Sequence, residues 1–133
     1  MTDNKYFRSC RNIKEQVYLF GKLYITDKKD HFLPTGIVNT LSDIPAAYIA
    51  DRILKDIDIP KISKNKALFS DLLLKLKIVL RQVYKNILTI DVTEDSKDVF
   101  TFYFKFVKDP RVQVLRLKYP ERYDNWKDIK IIY

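Results

Sequence analysis

One cysteine, one histidine and two glycines are all that this 133-residue chain offers of three residue types on which many sites depend. With Cys10 alone no intrachain disulfide can form. A zinc site would need carboxylates for most of its ligands, and no spacing in the chain suggests one. A Ser-His-Asp or Cys-His arrangement would have to run through His31. That residue stands in a loop-like segment far along the chain from Cys10 and reads as a surface histidine. Neither Gly21 nor Gly36 belongs to a phosphate-cradling loop, which excludes nucleotide chemistry of the P-loop or Rossmann type. No cofactor is called for. No run approaches the roughly 18 consecutive apolar residues of a membrane span, and no apolar stretch of a signal peptide follows Met1. An intracellular location is therefore expected, with no membrane span.

Acidic residues are also the minority charge. Asp and Glu number 17 against 25 Lys and Arg, a formal net charge of +8. Such a surplus attracts polyanions: nucleic acid, an anionic membrane face or an acidic protein. Lys outnumbers Arg by 18 to 7. Base edges in DNA are read most often by Arg, so the bias fits backbone contact or solubility better than sequence reading. What the chain has in plenty is apolar material, 47% of residues with eight Phe and nine Tyr. That payload separates it from disordered sequences and suits one domain over residues 1–133. The abundance of Lys and Ile beside so few glycines is what an AT-rich coding sequence produces, as in a virus or a small AT-rich microbe.

The apolar spacing predicts three helices. Residues 4–20 place Tyr6, Cys10, Ile13, Val17 and Phe20 on one stripe, and Gly21 ends that helix. Residues 22–26 alternate as a short strand, Asp27 to Asp30 form a polar turn, and Pro34 and Gly36 argue for a loop over 32–41. A second helix runs from Asp43, its N-cap, to Ile57, with Pro45 in the first turn. Asp58-Ile59-Pro60 stops it. A third runs from Asn65 to Lys85, with Phe69, Leu72, Leu73, Leu76, Val79, Leu80 and Val83 on a broad stripe and Leu74 and Ile78 on the far side. A helix so apolar all round is central to the fold or docked on something else.

The C-terminal third changes to a period of two. Leu88, Ile90 and Val92 alternate with Thr89, Asp91 and Thr93; Glu94 to Asp98 read as a turn. Phe100, Phe102, Phe104 and Phe106 share one strand face, with Thr101, Tyr103 and Lys105 on the other. Lys108 to Arg111 form the next turn. A further strand puts Leu115, Leu117 and Tyr119 inward and Val114, Arg116 and Lys118 outward, and residues 129–133 add a short last strand. The expected fold is α+β: about three helices followed by a three- to four-stranded antiparallel meander packed on the long third helix.

Two basic surfaces stand out. On the outer face of the meander, Tyr103 and Lys105 are expected beside Arg116 and Lys118, an aromatic ring among cations as suits single-stranded nucleic acid. The bland reading is an ordinary solvated sheet face. On the first predicted helix, Lys5, Arg8, Arg11 and Lys14 either track a phosphate backbone or form the wet face of an amphipathic helix. Trp126, in a polar stretch with Arg122, Tyr123, Lys127 and Lys130, is a stacking platform, an anchor for a partner, or a cover for the edge of the core.

Other motifs fall away. The gap from Ile57 to Asn65 is too long for a helix-turn-helix. Asp95-Ser96-Lys97 matches the Asp-x-Lys of metal-dependent nuclease cores, but the second carboxylate should stand on a separate strand, and Asp91 precedes it on the same one. The sequence thus reads as a small non-enzymatic protein that binds nucleic acid through a basic, aromatic-dotted surface. Its rival is a protein–protein interaction subunit or adaptor, a homodimer or part of a larger complex, suggested by more apolar surface than one small domain needs.

Overall fold

A computed structural model of the chain describes residues 21, 24–25, 44–55, 57–119 and 129–132, the last four by backbone alone. The predicted helix over 4–20, the turn at 27–30, the loop over 32–41, Asp43 and Trp126 lie outside the described residues. Those described form an α+β arrangement. Three helices, α1 (Ala46–Ile53), α2 (Ile59–Ser63) and α3 (Lys66–Arg81), precede four strands, β1 (Ile87–Ser96), β2 (Val99–Phe106), β3 (Asp109–Lys118) and β4 (Ile129–Ile132). The strands make one antiparallel sheet in sequence order.

The four phenylalanines of β2 supply the floor of the core. Phe102 and Phe104 are fully buried, and Phe100 and Phe106 nearly so. The rings of Phe102 and Phe104 stack at 6.5 Å, and Tyr119 meets Phe100 edge-on at 6.3 Å. Helix α3 covers the β1 side of this floor and α1 the β3 side. Leu72, Leu76, Val79 and Leu80 of α3 are buried, as are Ala46, Ala47, Ile49, Ala50 and Ile53 of α1. The expected packing of the sheet on the third helix thus holds, with α1 as a second cover.

Polar bonds join the two layers. Helix α1 has Pro45 at its N-cap and no cap of its own. The Gln113 side chain of β3 accepts instead from Ala47 N at 3.0 Å, satisfying one of the donors that a helix start leaves free. The Tyr84 hydroxyl donates to the Ile44 carbonyl, and that of Tyr119 to the Ile57 carbonyl at 3.5 Å.

Several boundaries differ from the sequence reading. Tyr24 and Ile25 are helical, not strand, and Gly21 lies in helix instead of ending one. Its smallness serves packing: a Cβ there would stand 2.6 Å from Cγ1 of the buried Ile53. Helix α1 stops at Ile53, four residues short of Ile57. Asp58-Ile59-Pro60 opens α2 instead of ending a helix, because Asp58 caps it by accepting from Lys61 N at 3.2 Å and Pro60 needs no donor in a first turn. Helix α3 begins at Lys66, with Asn65 as a cap that accepts from Ala67 N and Leu68 N, and ends at Arg81, short of the expected Lys85.

In the sheet, bulges shift the predicted pattern. The β1–β2 register slips at Leu88, so Ile87 takes the inward place opposite Phe106 and Leu88 is 49% exposed. Strand β1 continues through Ser96, into the predicted turn, and the hairpin closes over Lys97 and Asp98 alone. The β2–β3 hairpin closes over Val107 and Lys108, ahead of the predicted site, with Asp109 and Pro110 already in β3. Asp98 and Lys108 carry the positive φ values, 62° and 59°, that these tight turns require.

Candidate nucleic-acid interface

The β2–β3 register decides which side chains share the outer face. Tyr103 lies opposite Val114 and Lys105 opposite Val112, while Arg116 lies opposite Thr101 and Lys118 opposite Val99. All four candidates therefore occupy one face, on the far side of the sheet from the phenylalanines. They are not neighbours in the way expected. Tyr103 stands one row of this face from Lys105 and one row from Arg116, roughly 7 Å along the strands each way. Lys118 is a row further on. Lys105, Arg116 and Lys118 are exposed, Tyr103 is half-buried, and Val99, Thr101 and Val114 between them are buried. Val114, read as part of an open polar face, is closed off.

Strand β1 brings acids to the same face. Asp91 pairs with Tyr103 in register and makes an ion pair with Lys105 at 3.3 Å. Both side chains are about half exposed, which puts such a pair at about 0.2–1 kcal/mol. Asp95 shares this face by alternation with Asp91 and Thr93, and it sits at the bulge where the register slips between Glu94 and Ser96. Its carboxylate accepts from Thr93 Oγ1 at 2.8 Å and from the Thr101 hydroxyl. Hydrogen bonds from Thr101 and then Thr93 hold the Asp95 carboxyl below the ordinary aspartate value, and the nearby Arg116 charge adds to this.

The face is therefore a mosaic. Lys105 is held by Asp91, Arg116 faces Asp95, and Lys118 has no ion pair among the described residues. Sequence alternation showed the cations and Asp91; the Asp95 contribution did not show because Glu94 to Asp98 read as a turn, whereas β1 runs on through Ser96. Lys5, Arg8, Arg11, Lys14 and Trp126 lie outside the described residues, as do Cys10 and His31. Among the described residues no group of three or more His, Cys, Asp or Glu side chains could hold a metal ion, and no helix is long and apolar enough to cross a membrane.

Apolar exposure marks a different surface, that of α3 on the helical side of the sheet. Leu74 of α3 is 58% exposed and Leu68 55%, and Ile78 is partly exposed. Leu68 borders a shallow depression lined also by Ile25, Ile62, Asp71, Leu72 and Lys75. The Lys75 ammonium there pairs with Asp71 at 2.6 Å and donates to the Ile25 carbonyl at 3.4 Å. No protein-family model, curated protein or solved structure matches the chain.

Proposed function

We propose that the chain is a non-enzymatic binding protein that associates with nucleic acid through the outer face of its sheet. The observation that supports this reading is the register that sets Tyr103 between the rows of Lys105 and Arg116 on one face. A base stacks on an aromatic ring while flanking cations hold phosphates, and such contact tolerates any sequence. The ion pair of Lys105 with Asp91 is exposed and weak enough for a phosphate to displace, and it lowers the affinity expected at this face. Binding is expected to be modest, non-specific and steeply dependent on salt.

Titration of labelled oligonucleotides at two salt concentrations tests this. Glu at 105, 116 and 118 together is expected to abolish binding and leave the fold intact, since exposed side chains contribute little to stability. Tyr103→Ala is expected to cost roughly 1–3 kcal/mol on a single strand and little on a duplex, where bases offer no free face. Asp91→Asn is expected to tighten binding by releasing Lys105. The slope of log affinity against log salt falls by about one for each phosphate contact removed. A wild-type chain that binds no oligonucleotide at low salt would end this reading.

A second reading, an interaction subunit or homodimer, is favoured by the exposure of Leu74 at 58% and Leu68 at 55% on α3.

A further inference from the structure

The end of the sheet where β1 begins and β2 finishes combines two features, exposed apolar side chains and exposed lysines. Two large apolar side chains stand in solvent there, Leu88 at 49% and Val107 at 44%. The β1 bulge expels Leu88, and the β2–β3 turn carries Val107. The two segments are bonded to each other, Val107 N donating to the Asn86 carbonyl at 2.8 Å. Lys85 and Lys108 flank these residues in sequence and are exposed, and neither makes an ion pair among the described residues. The nearest carboxylate along the chain, Asp109, is occupied: it receives two guanidinium nitrogens of Arg111 and the Arg111 backbone N–H.

We infer that this tip docks on an anionic membrane surface. A phosphodiester backbone has use for the two lysines but none for Leu88 and Val107, which offer no aromatic face for a base. A bilayer with acidic headgroups takes both, its surface potential holding the ammonium groups and the acyl layer beneath receiving the apolar ones. The tip is a pair of turns and not a groove, so a flat, deformable surface fits it where a protein partner would have to supply a pocket. The chain's surplus of positive charge orients it toward such a surface from a distance.

Co-sedimentation of the full chain with vesicles tests the inference. The probes are phosphatidylcholine alone and phosphatidylcholine partly replaced by phosphatidylserine. The wild type is expected to bind the mixed vesicles and not the neutral ones. Leu88→Ser with Val107→Ser is expected to weaken that binding on the order of tenfold, with oligonucleotide affinity unchanged. Lys85→Glu and Lys108→Glu are each expected to weaken it about fivefold. Circular dichroism checks the fold, and Leu88→Ala with Val107→Thr replaces the serine pair if that pair unfolds. Failure of the wild type to bind mixed vesicles overturns the inference. So does full retention of binding by the serine pair, which would leave charge alone at work. Parallel loss of oligonucleotide and vesicle binding in that pair would mark the tip as a general polyanion site and overturn it as well. A negative oligonucleotide titration of the wild type bears only on the sheet face.

Discussion

At the scale of single residues, two positions carry more than their composition suggests. Gly21 lies against Ile53 with no space for a methyl group. Gly21→Ala gains helix propensity worth up to about 1 kcal/mol, but overpacking a closed core costs about 1–3 kcal/mol. The balance is expected to be a net loss of about 1 kcal/mol, read as a lower denaturation midpoint with an unchanged slope. Asp95 is the other. Its folded-state pKa is lowered by the Thr101 and Thr93 hydroxyls. A depressed carboxylate stabilises the fold above its unfolded pKa, about 3.9, and that contribution is lost as pH falls through the lowered folded value. Asp109 behaves in the same sense, its carboxylate lowered by hydrogen bonds from Arg111. Acid titration of stability for Asp95→Asn is expected to show a shallower decline than wild type in that window. Equal declines would mean that the threonine bonds do not persist in solution.

Among elements, α1 depends most plainly on a distant part of the chain. It has no side-chain cap of its own, and Gln113 in β3 supplies the acceptor. Gln113→Ala is expected to cost about 1 kcal/mol, the usual worth of a lost cap, with hydrogen exchange at Ala47 accelerated beyond that of α3. This dependence also explains what the sequence could and could not reveal. The α3 stripe and the Phe100–Phe106 alternation were legible because each repeats over several turns or pairs, and burial of one face follows from the period. The bounds of α1 were not, because its cap comes from 66 residues away. Helix α2 was missed because Pro60 reads as a stop unless Asp58 is recognised as a cap. The bulge at Leu88 carries no periodic signal, and with it went the apolar tip; Asp95 was hidden because Glu94 to Asp98 read as a turn and not as strand. The four candidate side chains of that face were found because a period of two assigns faces without knowledge of the register. Their spacing was not, because only pairing fixes it.

For the molecule as a whole, the exposed side of α3 poses the test of assembly. Ala67 and Leu74 are exposed there and Ile78 partly so, too little apolar area alone for a stable standard-sized interface of roughly 800 Å² per partner. Sedimentation at micromolar concentration is expected to show a larger particle if this face meets a second chain, and Leu74→Lys is expected to return it to a monomer. A wild-type monomer removes the homodimer from consideration. The sequence-ordered sheet, with its two-residue turns, has a further effect, on the rate at which the chain finds its structure. Strands β1 and β2, and β2 and β3, are each joined by only two residues, so most of the entropy of closing loops is avoided while these three strands assemble. Low contact order of this kind favours rapid folding. Docking α1 on β3 has no such advantage, and it is expected to come after the main barrier. The kinetic signature would be a Gln113→Ala chain that folds at the wild-type rate and unfolds faster.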